Sequence, residues 1–340
     1  MDTLEAHANL LPLDLRIQNL CHQATIRLAS PPYSPPISPL IRRASRRYVA
    51  KHKSSLHHLT QAYSLNPDTV EKIHPSWRCP NDISPHNSRI PKTREASICH
   101  HNKRLHSTHV YTDGSGLNGN IGVAAILFHP NGSTTTLCYH LGTSQQHTVY
   151  ESEVVGLLLA AHLLSEEVDV VTPVTIFINN QATIKSGDVF KTKSGHYLID
   201  LFHASVQQVR TKHQLRKQDI NLCWISSHSG VEGNEKADEE AKRATTSPEH
   251  SSDPHLLPAP LNEDPLPLSA SATLQHQREI TKGRWTTKLN ASTRSEHISC
   301  IDPKLLSDSF LKLTALMNRR QTAILTWLRT GHCPLNQYLK

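Results

Sequence analysis

The chain has 340 residues, with 21 Pro against 13 Gly and only 5% aromatic residues, a composition that argues against one compact core over the whole length. Its formal charge of +7, with 24 further His, suits a polyanionic partner and equally an ordinary basic protein. Seven cysteines are dispersed without a C-x-x-C pair, which argues against a disulfide framework and for a reducing, intracellular compartment.

Residues 1–104 begin with a helical pattern of apolar positions: Leu4, Leu10, Leu11, Leu13, Leu15, Ile17, Leu20, Ile26 and Leu28. The first 25 residues carry Asp, Glu and His throughout and lack a basic start followed by an apolar run, so no signal peptide is expected. "SPPYSPPISPL" follows, a proline cluster that favours extended, solvated chain. In "IRRASRRYVAKHK", Arg42, Arg43, Arg46, Arg47 and Lys51 would share one helical side, as phosphate contacts or as a solvated charged face. The Pro/His/Asn-rich remainder has little periodicity. Within it, Cys79 with Cys99-His100-His101 invites a zinc reading, but the spacing matches no common zinc module.

Residues 105–246 are the well-patterned part. "HVYTDGSG" reads as a strand ending in a turn, and "IGVAAILFHP" and "STTTLCYHLG" as two strands joined by a Pro130-Asn131-Gly132 hairpin turn. "TVYESEVVGLLLAAHLLSEE" reads as a long helix, with Thr148 as N-cap and Glu151 completing a capping box. Its apolar run, Val154 to Leu164, is too short to span a bilayer and is interrupted by Gly156 and His162, so no membrane partner is expected. "PVTIFI" is a fourth strand. A short helix from 181, a longer one near 197–214, the strand "INLCWIS" (220–226) and a helix over 234–244 complete the set. The order predicts an α/β fold: a five-stranded mixed sheet flanked by helices. Residues 247–270, rich in Ser, Pro and His, read as a linker, and residues 271–340 as a helical C-terminal segment.

Three carboxylates sit at informative places: Asp113 after the first strand, Glu153 early in the long helix, and Asp238 early in the helix that follows "SHSGVEGN". Converging from separate elements, they would make a hard, oxygen-rich site suited to Mg²⁺ or Mn²⁺. Two such ions about 4 Å apart can clamp a phosphodiester. Taken singly, each acid also has a plain structural reading, as a turn residue or a charge near a helix N-terminus.

"YTDGSG", "YESEVVGLLLA", "FINNQATI" and "WISSHSGVEGNEKADEEAK" occur in the order and spacing that resemble a type 1 ribonuclease H domain, over residues 108–245. More narrowly, they resemble the version trailing the reverse transcriptase of fungal non-LTR retrotransposons. The block H-x-G-x-x-G-N-E-x-A-D at 228–238 is its most specific part. "LLPLDLRIQNLCHQATIRL" resembles the segment joining polymerase to nuclease in such elements, and "RRQTAILTWLRTGHCPLNQYL" the segment before their cysteine-rich tail. The flanks imply the rear of a longer polyprotein, lacking its polymerase and its terminal tail.

The resemblance implies a metal-dependent endonuclease that cuts the RNA strand of RNA–DNA hybrids, leaving a 3′-hydroxyl and a 5′-phosphate. Its metal carboxylates fall on Asp113, Glu153 (rather than Glu151) and Asp238. Its mobile histidine, for proton transfer or product departure, falls on His228. Gln181, Asn234 and Ser115 fall among its substrate contacts, although Asn234 also reads as the N-cap of the last helix. The family's remaining aspartate falls on Asn179. An asparagine brings one carbonyl oxygen and an NH₂ that repels a cation, so the sequence predicts a site with one ligand weakened and cleavage impaired; the plain alternative is a tolerated variant in an active enzyme, since an asparagine can still ligate a hard ion. A non-catalytic nucleic-acid binder and a decayed element fragment are the alternatives.

Overall fold

The computed structural model describes residues 2–32, 36–46, 51–74, 84–129, 132–189, 193–227, 229–262, 265–292, 300–301 and 307–330. Arg47, Cys79, Pro130, Asn131, His228 and the end of the second flank, all singled out in the sequence, lie outside these residues.

In chain order the elements begin with α1 (Asp2–His7), α2 (Leu13–Ala29), α3 (Ile37–Arg46), α4 (Ser55–Ala62), β1 (Asn87–Arg89) and α5 (Arg94–Asn102). Next come β2 (His109–Leu117), β3 (Asn120–Phe128), β4 (Thr134–Thr143), α6 (Val149–Glu166), β5 (Val174–Ile178), α7 (Gln181–Ser186) and α8 (His196–Lys212). Then follow β6 (Ile220–Trp224), α9 (Glu232–Thr246), α10 (Ala259–Asn262), α11 (Ala270–Asn290), α12 (Ser309–Thr314) and α13 (Arg319–Thr330). The chain divides into two compact units, residues 1–25 with 274–340, and residues 26–273.

The second unit is built on a six-stranded sheet in the order β1-β6-β5-β2-β3-β4. β1, β6, β5 and β2 run parallel, and β3 and β4 complete an antiparallel meander. The five predicted strands are present, and Asn87–Arg89 adds a sixth at the edge of β6. Three polar residues carry no alternation to read; they pair through backbone alone. α6 starts where its capping box dictates: the Thr148 hydroxyl accepts from the Glu151 amide, and the Glu151 carboxylate accepts from the Thr148 amide at 2.7 Å. From Val154 to Ala161 α6 is apolar and buried on every side, as a helix packed between the sheet and α8 must be.

Residues 247–270, expected as a linker, are tied to this unit. Leu257, Leu261 and Leu266 enter the main core. The hydroxyls of Ser251 and Ser252 accept from the amides of His140 and Cys138, both at 2.9 Å, so the outer edge of β4 is partly covered. Arg42 and Arg46 of the basic segment both pair with Asp68.

The first unit has a smaller core, in which Ala6 and Leu15 pack with Trp285 and Leu289. Among the described residues no helix is long and apolar enough to cross a membrane.

Candidate active site

Parallel pairing sets Thr112 beside Ile178, so Asp113 and Asn179 emerge side by side where β5 ends. Asp113 is followed by a glycine for a steric reason. A Cβ on Gly114 would lie 2.7 Å from the backbone nitrogen of Glu153, so only glycine lets β2 approach α6 this closely. The approach brings Glu153 to the acid of β2. On the opposite face α9 lies on β3 through Ala241 and Ala244 against Ala124. A Cβ on Gly122 would meet the Thr245 backbone nitrogen at 2.6 Å, so bare strand supports the helix that carries Asp238.

Asp113, Gly114, Glu153, Asn179, Ser227, Asn234 and Asp238 line one cavity of about 180 Å³. Five predicted site residues therefore meet. Gln181 opens α7 and Ser115 continues β2 opposite Gly122; neither lines the cavity. Asn234 lies within α9, and the N-cap is Val231, so the capping role is corrected. Glu151 remains in its capping box while Glu153 faces the cavity. A larger cavity of about 670 Å³, lined by His101, His109, Phe128 and residues 229–233, contains none of the three acids.

Each acid has a donor from the chain itself. Asn179 Nδ2 donates to Asp113 Oδ1 at 2.8 Å, and the Gly114 amide donates to the same oxygen at 2.9 Å. The Asn180 side chain hydrogen-bonds Glu153. Strand alternation turns Asn180 away from Asn179, and that other face is the one α6 covers. Lys242 Nζ lies 2.6 Å from Asp238 Oδ2, one helical turn on. Asn180, Lys242 and Ser227 lie inside the motif blocks, but nothing in the sequence assigns them a place at the site.

Burial dominates the electrostatics. It pushes Asp113 up to about 6, reinforced by the Asp238 charge and opposed by the hydrogen bonds from Asn179 and Gly114. Burial, then the Asp113 charge, pushes Glu153 well above the ordinary carboxylate range. The two acids resist carrying adjacent negative charges in a dry site.

The donor set suits a hard divalent cation. Glu153 Oε2 and Asn234 Oδ1 are buried without a hydrogen-bond partner, and both residues line the cavity. Orphaned oxygens of this kind are what a bound cation satisfies. Asn179 works against it, since its NH₂ is turned toward Asp113. Among the described residues no three His, Cys, Asp or Glu side chains are grouped to hold an ion unaided.

Residues 106–246 match the model of the RNase H family. Among solved structures, RNase H1 from the halophilic archaeon Halobacterium salinarum NRC-1 is 17% identical, with 40% of this chain and 96% of that chain covered and a TM-score of 0.29. LC11-RNase H1 in complex with an RNA/DNA hybrid is 18% identical, with 40% and 98% covered and a TM-score of 0.30. LC11-RNase H1 isolated from compost by a metagenomic approach is 18% identical, with 42% and 96% covered and a TM-score of 0.31. No curated protein matches the chain.

Proposed function

We propose, starting from the RNase H domain at residues 106–246, that this chain binds RNA–DNA hybrids and cuts their RNA strand weakly, with Asn179 limiting the rate. The observation that carries this reading is the meeting of Asp113, Glu153, Asn179 and Asp238, from four separate elements, on one cavity. Asp113, Glu153 and Asp238 would hold Mg²⁺ or Mn²⁺, which prefer oxygen ligands. Such an ion, when bound, supplies the charge that activates water and stabilises the phosphodiester transition state.

The chain's own groups do the rest. Asn179 would have to turn its amide over to offer Oδ1, giving up its hydrogen bond to Asp113. Even so it brings no charge to offset the cation. His228 would assist proton transfer or product departure, and Gln181, Asn234 and Ser115 would touch the hybrid. These four roles rest on the motif match. The flanks support a setting at the rear of a fungal non-LTR retrotransposon polyprotein.

The test is cleavage of a labelled hybrid with Mg²⁺ and with Mn²⁺. Asn179→Asp is expected to raise the rate by about 100-fold or more, since each ~1.4 kcal/mol of transition-state stabilisation is tenfold. Asp113→Asn is expected to abolish it. Strong cutting by the wild type, unchanged by Asn179→Asp, would overturn the impairment. A second reading, a binder without catalysis, is favoured by the in-chain donor found for each acid. It predicts binding without cutting in every variant.

A further inference from the structure

We propose that residues 87–104, which precede the RNase H domain, form a second nucleic-acid contact: a cationic shelf at the sheet edge that holds the phosphate backbone of a bound duplex. The proposal rests on the hybrid-binding reading above and concerns a surface outside the matched residues 106–246.

Register places the shelf relative to the acids. Arg89 of β1 pairs with Cys223, Cys223 with Phe177, and Phe177 with Tyr111. Side chains along such a row share one face of the sheet, and so do residues two further along each strand. Arg89 therefore stands on the face of Asp113 and Asn179. Three strand spacings separate it from β2, about 14 Å, plus about 7 Å along the strands. That is on the order of a duplex groove width (~12 Å). A duplex presenting one phosphate to the acids thus extends to the shelf.

Charge selects the partner. The stretch 87–104 holds Arg89, Lys92, Arg94, Lys103 and Arg104 against a single acid, Glu95. Arg89, Lys92 and Lys103 are exposed and make no ion pair among the described residues. Arg104 Nη1 donates to Thr175 Oγ1 at 3.1 Å, which anchors the end of α5 to β5. Arg89, Lys103 and Arg104 gather around His100, whose pKa is pushed down to about 4 by burial and then by those charges. Cations held together without counter-charges form an anion-binding surface.

Several cations elsewhere are already paired. Arg42 and Arg46 share Asp68. On α9, Lys236 pairs with Glu232, Lys242 with Asp238 and Arg243 with Glu240. Arg89, Lys92 and Lys103 share one short stretch and make no ion pair among the described residues. A plainer role, guarding an edge strand against pairing with another chain, needs charge there but no nucleic acid.

The test uses the full chain in EDTA, so that cleavage is silent, and follows binding of a fluorescent RNA–DNA hybrid across roughly 50–200 mM salt. Arg89→Gln/Lys92→Gln/Lys103→Gln removes exposed groups and is expected to keep the wild-type melting temperature. It should weaken binding about tenfold or more at low salt and reduce the slope of log K against log salt by about 2 to 3, with Lys103→Gln alone reducing it by about 1. Arg42→Gln/Arg46→Gln should leave the slope unchanged. A wild type that binds no hybrid removes the functional reading and the shelf together. A wild type that binds, with a triple variant of equal affinity and slope, removes the shelf alone and leaves edge protection.

Discussion

Two glutamates in the unit formed by residues 26–273 are buried to nearly the same depth, Glu71 at 1% exposure and Glu153 at 4%. Their surroundings differ. Glu71 Oε1 accepts from the Ala270 amide at 2.7 Å and from the Ser194 hydroxyl, and Oε2 accepts from the Gly195 amide at 2.7 Å. Both of its oxygens are used, and they fasten together three segments far apart in sequence. Glu153 keeps Oε2 without a partner, facing a cavity shared with two more acids. Burying a carboxylate is costly unless its lone pairs are satisfied. The first arrangement offsets that cost within the fold; the second leaves part of it for a ligand to relieve. Equal burial thus accompanies opposite pairing.

The largest expected effect follows from removing the satisfied group. Glu71→Ala leaves the Ala270 and Gly195 amides buried without an acceptor and should cost about 4 kcal/mol in denaturant unfolding. Glu71→Gln should recover part of that, because an amide accepts through only one of its two heads. If Glu71→Ala unfolds at the wild-type denaturant concentration, the pairing does not hold these segments and the contrast with Glu153 fails.

An orphaned atom alone does not mark a ligand site, and His147 sharpens the contrast. Its Nδ1 is buried without a partner, yet it lines neither the acid cavity nor the larger one. Burial pushes its pKa down to about 4. The unfolded chain takes up the proton near 6.5, whereas the folded chain refuses it until about 4. Stability is therefore full above about pH 6.5 and declines as pH falls toward 4, by about 3 kcal/mol at most. His147→Phe should flatten this window of the stability–pH profile. An unchanged profile would show that the ring is protonated in the fold after all.

The candidate site was legible in the sequence where its residues fall in blocks of particular types at particular spacings. Asp113, Glu153, Asn179 and Asp238 sit in blocks whose strand, helix and turn context could be read directly, and four elements bring them to one cavity. What escaped depends on partners across the fold. Asn180 reads as facing away from the site; that it reaches Glu153 follows from where α6 lies, which no local pattern encodes. β1 holds its place by backbone pairing, with no hydrophobic alternation to announce it. Arg42 and Arg46 read as phosphate contacts or as a solvated face, and neither reading foresees Asp68 beside both. Leu257, Leu261 and Leu266 were masked by the Ser and Pro around them.

A smaller effect, of opposite sign to that at Glu71, is expected when the unsatisfied acid is neutralised. Glu153→Gln keeps the shape and removes the cost of burying an acid that ionises freely in the unfolded chain, so the unfolding free energy should rise by about 1 kcal/mol. The same variant should lose any rise in melting temperature that Mn²⁺ gives the wild type. A destabilised Glu153→Gln would place Glu153 with Glu71, as a structural acid.

The smallest effect concerns Lys242, which tests whether the in-chain donors compete with a cation. Its ammonium belongs to an exposed i,i+4 pair with Asp238, worth only about 0.3–0.5 kcal/mol to the helix. Lys242→Met should therefore barely change stability. Removing a positive charge beside an acid that lines the cavity should nevertheless favour a second cation there, tightening Mn²⁺ binding in calorimetry by about two- to fivefold. Lys242→Arg keeps the charge and should bind Mn²⁺ as the wild type does. Equal affinity in all three proteins would mean that Lys242 only decorates α9, leaving Asn179 and Asn180 as the groups that oppose the ion. Additivity of Lys242→Met with Asn179→Asp would instead indicate that ammonium and amide act on separate acids, as their separate partners Asp238 and Asp113 imply.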